Sequence, residues 1–282
     1  MIEGILLIAL AIPAGLVLQG IDRKLTARMQ NRIGPPILQP YYDFMKLIQK
    51  RDIIPDNVGV FFTIFPILTL VASLCVLPFL SLISFKGDII VTLYLLLMIS
   101  AFLALSGFAS GSPFGTIGAW REIMMVIGYE LPLVVAVVAV IMDAGSLSLS
   151  QIASSAHFLP FAFAAFLIST QAKLARSPFH IPDAETEIVA GIHTEYSGVR
   201  LAMLNLSAAV DLFIMVVLAV MLFLSPPTWY YFAGYSLAIL FVLTTVKVIT
   251  GRLRIDQMIR FFWFIVGPIA LIDLLRVLFL AA

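Results

Sequence analysis

Long apolar stretches separated by short polar connections dominate this sequence. Hydrophobic residues make up 62% of the 282 positions and charged residues 12%, against about 45–50% and about 25% in a soluble domain. A membrane-spanning helix needs about 20 mostly apolar residues. Eight stretches approach or reach that length, at 2–21, 59–83, 88–110, 122–143, 158–174, 198–224, 230–249 and 258–281. The sequence therefore predicts an all-α polytopic membrane protein with about eight transmembrane helices.

The connections between these stretches are too short for a soluble domain, so residues 1–282 are predicted to form a single integral membrane domain. The first stretch lacks the basic segment and the small-residue cleavage site of a signal peptide, and we interpret it as a retained span. The fifth stretch is the shortest and contains Pro160.

Basic residues are concentrated on alternate connections. Fifteen of the 17 Lys and Arg residues lie on odd-numbered connections or at the span ends beside them, the exceptions being Lys86 and Arg276. Connections rich in Lys and Arg stay in the cytoplasm. This asymmetry predicts a multi-pass protein of the cell (plasma) membrane with both termini outside and the odd-numbered connections in the cytoplasm.

The first connection combines a rigid turn with an amphipathic pattern. Residues 31–36 read NRIGPP. In residues 38–48, apolar side chains recur at helical spacing at Tyr41, Phe44, Met45 and Ile48. This pattern predicts a short cytoplasmic amphipathic helix that lies at the membrane surface or under a partner.

Residues 176–200, between the fifth and sixth stretches, form a long cytoplasmic loop that is both acidic and aromatic. Its carboxylates are Asp183, Glu185, Glu187 and Glu195. Acidic residues directly after Pro182 favour a helix start. On a continuous helix, Asp183, Glu187 and Glu195 would share one broad face.

Apolar side chains within the same loop require cover from water. They are Phe179, Ile181, Ile188, Val189, Ile192 and Tyr196. Because this chain has no cytoplasmic domain to supply that cover, we interpret the loop as a re-entrant or partner-buried segment. Carboxylates in such a place bind protons near neutral pH. The alternative is an ordinary solvated acidic face.

Ionisable residues within the apolar stretches are costly to bury and are functional candidates. Glu130 lies in the fourth stretch near Pro132, which removes one helical hydrogen bond and can admit water. Asp211 lies well inside the sixth stretch. Loop carboxylates leading toward Glu130 would form a proton path, whereas the alternative is a structural carboxylate paired to a neighbouring helix.

Other charged residues near the spans have structural interpretations. Asp273 and Arg276 are three residues apart and are expected to pair with each other. Lys173 and Lys247 lie near span ends and are expected to extend to the membrane surface. Asp143, at the outer end of the fourth stretch, is expected to be solvated.

Composition and motifs exclude several kinds of site. The single cysteine, Cys75, excludes an intrachain disulfide and an iron–sulfur cluster ligated by this chain alone, and the three histidines are too scattered for a metal site. There is no nucleotide-binding loop and no catalytic triad. The net charge of +1 says nothing about nucleic acid, and no nucleic-acid partner is expected. The sequence therefore predicts no catalytic residue, cofactor or metal within this chain.

Three motifs carry a family resemblance. Residues 32–50 (RIGPPILQPYYDFMKLIQK) and 177–198 (SPFHIPDAETEIVAGIHTEYSG) resemble the H subunit of bacterial respiratory complex I and its relatives in group 4 membrane-bound [NiFe] hydrogenases. Residues 121–133 (REIMMVIGYELPL) are similar to the span-four segment of that family. The resemblance covers nearly the whole chain, and eight spans form the core of the family.

The resemblance implies a membrane-anchor and coupling subunit of a redox-driven pump for protons or sodium ions. The implied partners are peripheral hydrogenase-like large and small subunits, an iron–sulfur subunit, antiporter-like membrane subunits and the lipid membrane. A [NiFe] centre and iron–sulfur clusters are expected in those partner subunits.

Positions that match the motifs of this family imply roles for individual residues. Together with the buried Asp211, the proton-coupling candidates are Glu130, Asp183, Glu185, Glu187 and Glu195. The candidates for a partner interface or a quinone-cavity-like loop are Arg32, Gly34, Pro35, Gln39, Phe179, His180 and Tyr196.

Two departures from the quinone-reducing relatives favour a hydrogenase-type or related ferredoxin-linked complex. Those relatives usually have Asp after the Pro-Phe of the central motif, where this chain has His180, and they are somewhat longer. One alternative is the quinone-site H subunit of an NADH- or other donor:quinone oxidoreductase. A second is a stand-alone secondary transporter, which broken spans with intramembrane acids also suit.

Overall fold

The computed structural model describes residues 2–155, 157–226 and 228–281, without the side chains of residues 2–9, 155, 185, 280 and 281. Within these ranges the regular structure is entirely helical. The helices are α1 Ile2–Met29, α2 Gln39–Gln49, α3 Phe61–Ser81, α4 Asp88–Ala109, α5 Pro113–Ala144, α6 Leu149–Ser155, α7 Pro160–Lys173, α8 Glu185–Ile188, α9 Gly198–Phe223, α10 Trp229–Ile249, α11 Ile255–Phe261 and α12 Gly267–Ala281. A 3₁₀ turn covers Gly191–His193, and a π-helical turn, Phe262–Val266, joins α11 to α12.

Six helices of the described chain are long and apolar enough to cross a membrane. They are α3, α4, α5, α9, α10 and the continuous helix Ile255–Phe279 formed by α11, the π-helical turn and α12. The all-helical membrane fold is thus confirmed, whereas the count of eight spans stays a prediction. The predicted first span lies in α1, whose first side chains are outside the described residues. The predicted fifth span is α7, whose 14 residues extend only about 21 Å.

Helix α9 lies at the centre of the bundle. Its most apolar window is 89% buried, as expected for a helix that is apolar on all sides. It packs against α1, α2, α3 and α10, while α5 packs against α4, α7 and α12. Gly15 brings α1 into backbone contact with α9, since a Cβ at this position would lie 2.5 Å from the carbonyl oxygen of Ala209.

The first loop folds as predicted from its amphipathic pattern. Helix α2 covers Gln39–Gln49, and the Arg23 guanidinium of α1 holds it through a 2.7 Å ion pair with Asp43. Gly20 lets the loop approach α1, because a Cβ there would lie 1.8 Å from the Ile37 carbonyl oxygen. The end of the bundle that carries this loop, Arg121 and Arg200 is called the basic end below.

At the opposite end, two carboxylates accept hydrogen bonds from backbone amides of the connecting loops. Asp88 is fully buried, and its Oδ1 accepts a 2.7 Å hydrogen bond from the amide of Leu149 at the start of α6. Asp143, expected to be solvated, accepts a 3.0 Å bond from the amide of His157. The side chain of Asp143 is 17% exposed, so the expectation holds only in part, because the loop after α6 supplies the carboxylate with a backbone donor.

A buried carboxylate caps the first turn of helix α7. Oδ2 of Asp273 accepts bonds of 2.8 and 2.9 Å from the amides of Phe161 and Ala162. The expected pair with Arg276 was wrong, since Asp273 is fully buried whereas Arg276 is exposed. Amides left free at a helix start need partners at membrane depth, and this carboxylate satisfies two of them.

Candidate functional site

The loop between α7 and α9 is compact but not continuously helical. Helix α8 has only four residues, and Val189 stops it with a φ of 62°. The prediction that Asp183, Glu187 and Glu195 share one helix face was therefore wrong. The three side chains point to separate surroundings.

The apolar side chains of the loop are covered by the chain itself. Phe179, Ile188 and Ile192 are each no more than 3% exposed, and Phe179 packs against the ring of Phe262 with centroids 4.9 Å apart. The interpretation that the loop needs a partner or a re-entrant position for its cover was wrong for these residues. Val189 differs from them, since it is exposed.

Tyr196 fixes the far end of the loop to the helices beneath. Its ring stacks on Phe62 of α3 at 4.3 Å, and its hydroxyl donates a 2.8 Å hydrogen bond to the Ser106 carbonyl oxygen of α4. Burial raises the pKa of Tyr196, against the smaller opposing effects of that hydrogen bond and of Arg200. The hydroxyl therefore stays protonated and keeps its bond.

Beneath the loop lies a cavity of about 100 Å³ with ionisable walls, called the polar cavity below. Its charged or titratable lining residues are Glu122, Lys173, Asp183, His193 and Asp211. Glu122 is 1% exposed. A polar cavity of this size has room for several water molecules.

Lys173 and Asp211 form the inner part of the polar cavity. The Lys173 ammonium lies 3.8 Å from Asp211 Oδ2 and donates a 2.8 Å hydrogen bond to the Leu96 carbonyl oxygen of α4. The expectation that Lys173 extends to the membrane surface was wrong, because its partners lie inside the bundle. A second bond of 3.3 Å to Ser100 leads to the Tyr129 hydroxyl, 3.0 Å further on.

Asp183 and His193 form the outer part of the polar cavity. His193 Nε2 lies 3.8 Å from Asp183 Oδ1, and both side chains are about a quarter exposed. Oδ1 of Asp183 and Oδ1 of Asp211 are buried and accept no hydrogen bond from the described protein atoms. The polar cavity thus connects a loop near the surface to a lysine and a carboxylate inside the membrane domain.

The remaining predicted acids lie elsewhere. Glu187 forms ion pairs with Arg121, at 2.7 Å, and with Arg252 on the outside of the loop. Glu130 and Glu195 are partly buried but do not line the polar cavity. The side chain of Glu185 lies outside the described part of the chain.

The predicted interface residues fall into two groups, neither of which includes a wall of the polar cavity. In the first loop, Arg32 is exposed, Gly34 packs against α1 beside Pro35, and Gln39 donates a 2.9 Å hydrogen bond to Asp43. In the central loop, Nδ1 of His180 donates to the Ala175 carbonyl oxygen at 2.8 Å, and Phe179 and Tyr196 are buried as described.

Three buried acids were missed from the sequence: Asp22, Glu122 and Asp88, whose contacts are described above. Glu122 follows Arg121 at the edge of a predicted span, and only its position eight residues before Glu130 indicated a second acid on the same helix. Asp22 of α1 is 3% exposed and accepts hydrogen bonds from Arg176, Thr244 and Lys247. Lys247 was therefore also wrongly expected to extend to the membrane surface.

A bundle of membrane helices with a buried acid–lysine pair under an acidic loop defines a polytopic membrane protein with ionisable groups inside its membrane domain. The family model described as NADH dehydrogenase matches residues 2–278, and the chain belongs to this family. Accordingly, it is a membrane subunit of a multi-subunit redox complex.

Individual relatives agree with this assignment. The H subunit of the NADH-quinone oxidoreductase of Geobacillus kaustophilus is 35% identical, over 94% of this chain and 89% of the relative. The same subunit from Bacillus cytotoxicus is 34% identical over 96% and 91%. A chain of the membrane-bound sulfane sulfur reductase, an archaeal respiratory membrane complex, has the same fold with a TM-score of 0.90, 29% identity and 98% coverage of both chains.

Proposed function

We propose that this chain anchors a peripheral, hydrogenase-like oxidoreductase arm to the plasma membrane and couples its redox chemistry to ion translocation. The basic end faces the cytoplasm and the arm, as the distribution of Lys and Arg predicts. The observation that carries the proposal is the polar cavity, in which Glu122, Lys173 and Asp211 lie under Asp183 and His193.

The ionisable residues of the polar cavity couple redox chemistry to ion translocation through changes in their charge. Glu122 and Asp211 share one lysine within a small, buried volume, and two ionised carboxylates cannot be compensated by a single ammonium. A proton is therefore shared among these groups. A change in charge at the loop alters which group holds it.

Inside the membrane, the path continues along α5 and α4. Lys173 contacts Ser100, which contacts Tyr129, and Glu130 is the next residue on α5. Glu130 passes the change in charge to neighbouring antiporter-like subunits. The ion carried is a proton in this chain, while the coupled ion in the partners is H⁺ or Na⁺.

A hydrogenase-type or related ferredoxin-linked complex is favoured over a quinone reductase. Two features support this choice: His180 stands where quinone-reducing relatives usually have Asp, and the chain spans 98% of its sulfane sulfur reductase counterpart against 89% of the Geobacillus relative. The [NiFe] centre and the iron–sulfur clusters would then lie in the peripheral large, small and iron–sulfur subunits.

Replacement of Glu122 tests the coupling role. In the intact complex, reconstituted into vesicles, Glu122→Gln should leave electron transfer from artificial donors nearly unchanged but abolish gradient formation, because the amide cannot exchange a proton. Glu130→Gln should likewise retain electron transfer and abolish gradient formation. Asp56→Asn, a neutralised acid on the exposed first loop, is the matched control. Full gradient formation by Glu122→Gln would exclude the proposed path.

The type of complex is tested separately with material purified from native membranes in mild detergent. Hydrogen evolution from reduced ferredoxin or viologen, without quinone reduction, supports the hydrogenase-type assignment. Inhibitor-sensitive quinone reduction supports the quinone-reductase alternative, and transport by the isolated chain supports the secondary transporter.

A further inference from the structure

A cavity of about 400 Å³ lies at the end of the bundle opposite the basic end. It is separate from the polar cavity, and the proposed coupling path does not use it. Its walls come from the end of α5, the residues at the start of α7 and the last turns of α12. The lining residues are Met142, Asp143, His157, Phe158, Leu159, Arg276 and Val277. We call it the α12 cavity.

Arg276 supplies the positive charge of the α12 cavity. Its side chain is exposed and has no ion-pair or hydrogen-bond partner among the described residues. Asp273, the acid three residues before it, is fully buried and bonded to the first amides of α7. The guanidinium therefore keeps its N–H donors for a group that enters the cavity, and a phosphate matches their planar, forked geometry.

Asp143 and His157 supply hydrogen-bond acceptors to the same cavity. Oδ2 of Asp143 accepts from the His157 amide at 3.0 Å and lies 3.1 Å from its Nδ1. Because a carboxylate oxygen only accepts, Nδ1 carries the hydrogen, and Nε2 of the neutral ring is left as an acceptor. Oδ1 of Asp143 also has no donor within the part of the chain that the structure describes. These two acceptors suit a cation with several N–H groups.

The rest of the wall is apolar, and it lies at the level of a membrane surface. Met142 and Phe158 line the cavity and are exposed. Helix α10 starts at this same end with Trp229 and Tyr230, both exposed, and such aromatic residues gather where membrane meets water. A molecule that fills the α12 cavity therefore needs an apolar part beside a headgroup that carries charges of both signs.

We propose that the α12 cavity binds one phospholipid with an ethanolamine headgroup. The phosphate contacts Arg276, the ammonium donates to Asp143 and His157, and an acyl chain lies along Phe158 and Val277. The cavity carries one charge of each sign, which this zwitterion balances. Phosphatidylglycerol would bring a net negative charge beside Asp143, and the choline group of phosphatidylcholine has no N–H to donate. The bound lipid joins α12 to the connection between α5 and α7.

The test uses the intact complex in phosphatidylcholine vesicles that contain a small fraction of photoactivatable phosphatidylethanolamine. After illumination, mass spectrometry of the digested protein should find the label on peptides that contain residues 142–143, 157–159 and 276–277. Arg276→Gln should lower labelling of these peptides about tenfold, which corresponds to about 1.4 kcal/mol in binding. Arg276→Lys keeps the positive charge and should retain most of the labelling.

Two further variants separate recognition of the headgroup from folding. Asp143→Asn keeps an oxygen for the His157 amide but loses the negative charge, so labelling should fall about threefold or more while the thermal unfolding temperature stays the same. Lys86→Gln removes an exposed positive charge from the same end of the bundle, outside the α12 cavity. It should leave labelling unchanged.

Three results would overturn the proposal. Equal labelling of the same peptides by a photoactivatable phosphatidylcholine would show that the cavity does not select the N–H donors of ethanolamine. Equal competition by unlabelled phosphatidylglycerol and phosphatidylethanolamine would show that the ammonium is not recognised. Displacement of the label by water-soluble glycerophosphoethanolamine would assign the cavity to a soluble ligand instead of a lipid.

Discussion

The ammonium of Lys173 lies 3.8 Å from Oδ2 of Asp211, and the two side chains are only 1% and 9% exposed. The pair joins α7 to α9, and the hydrogen bond from the same ammonium to the Leu96 carbonyl oxygen adds α4. A buried ion pair loses the hydration of both charges. A buried ion pair is therefore expected where its charge serves a function, and the Lys173–Asp211 pair forms the inner part of the polar cavity.

Removal of one charge should therefore cost far more than removal of both. Lys173→Met leaves Asp211 buried without its cation and should lower the free energy of unfolding by about 3–5 kcal/mol. Lys173→Met with Asp211→Asn should recover most of that loss while gradient formation remains absent. Thermal unfolding of the purified complex and vesicle assays measure the two effects. A double variant as unstable as the single one would contradict the pairing.

The capping role of Asp273 predicts a different pattern at the opposite end. Asp273→Ala frees the Phe161 and Ala162 amides in the first turn of α7 and should lower the free energy of unfolding by about 1–2 kcal/mol. Arg276→Gln, one turn further along the same helix, should change it by less than about 0.5 kcal/mol. Equal losses in the two variants would instead support an ion pair between Asp273 and Arg276 within the helix. Thermal unfolding in one detergent compares them directly.

Asp43 gives the attachment of α2 a defined pH dependence. Its pKa in the folded protein is lowered, so its contribution to stability is present above the ordinary carboxyl pKa of about 3.9 and is lost as the pH falls through the lower folded value. A spin label at the exposed residue 48, in a Cys75→Ser background, should become more mobile on acidification below about pH 4. Asp43→Asn should give a mobile label at every pH. A label equally immobile in both proteins would rule out this attachment.

Local patterns predicted those parts of the fold that depend on local chemistry. The period of Tyr41, Phe44, Met45 and Ile48 was sufficient for α2, because an amphipathic helix needs no knowledge of its neighbours. Apolar length was sufficient to predict the six helices that are long and apolar enough to cross a membrane, because the bilayer sets the required length. The bounds of α7 also lie close to the predicted stretch 158–174. Its cap could not be predicted in this way, since its first turn is satisfied by Asp273 from a helix more than 100 residues away.

The partners of buried charges were the part that local spacing could not provide. Lys173 resembles many lysines at span ends that extend to the membrane surface, and only the packing of α4, α7 and α9 shows that it turns inward. Glu122 adjoins Arg121 at a span boundary, where an acid is ordinarily solvated. The loop that covers Glu122 is itself positioned by nonlocal contacts, so the polar cavity had no sequence signature of its own.

The contact between α5 and the central loop gives the most direct test of whether this loop covers the polar cavity. A Cβ at Gly118 would lie 2.8 Å from the Ile192 amide nitrogen and 3.1 Å from backbone atoms of Gly191. Gly→Ala within a helix ordinarily stabilises by about 0.5–1 kcal/mol. Here the clash is with backbone that cannot rotate away, so Gly118→Ala should instead lower the free energy of unfolding by about 1–3 kcal/mol.

Gly234 is the matched control, because it lies inside α10 and a Cβ there meets nothing within 4 Å. Gly234→Ala should leave stability unchanged or raise it, whereas Gly118→Ala should also expose the central loop to protease and reduce gradient formation by the complex. Thermal unfolding, limited proteolysis and vesicle assays measure the three effects. If both variants behaved alike, close contact between Gly118 and the loop would not be what closes the polar cavity.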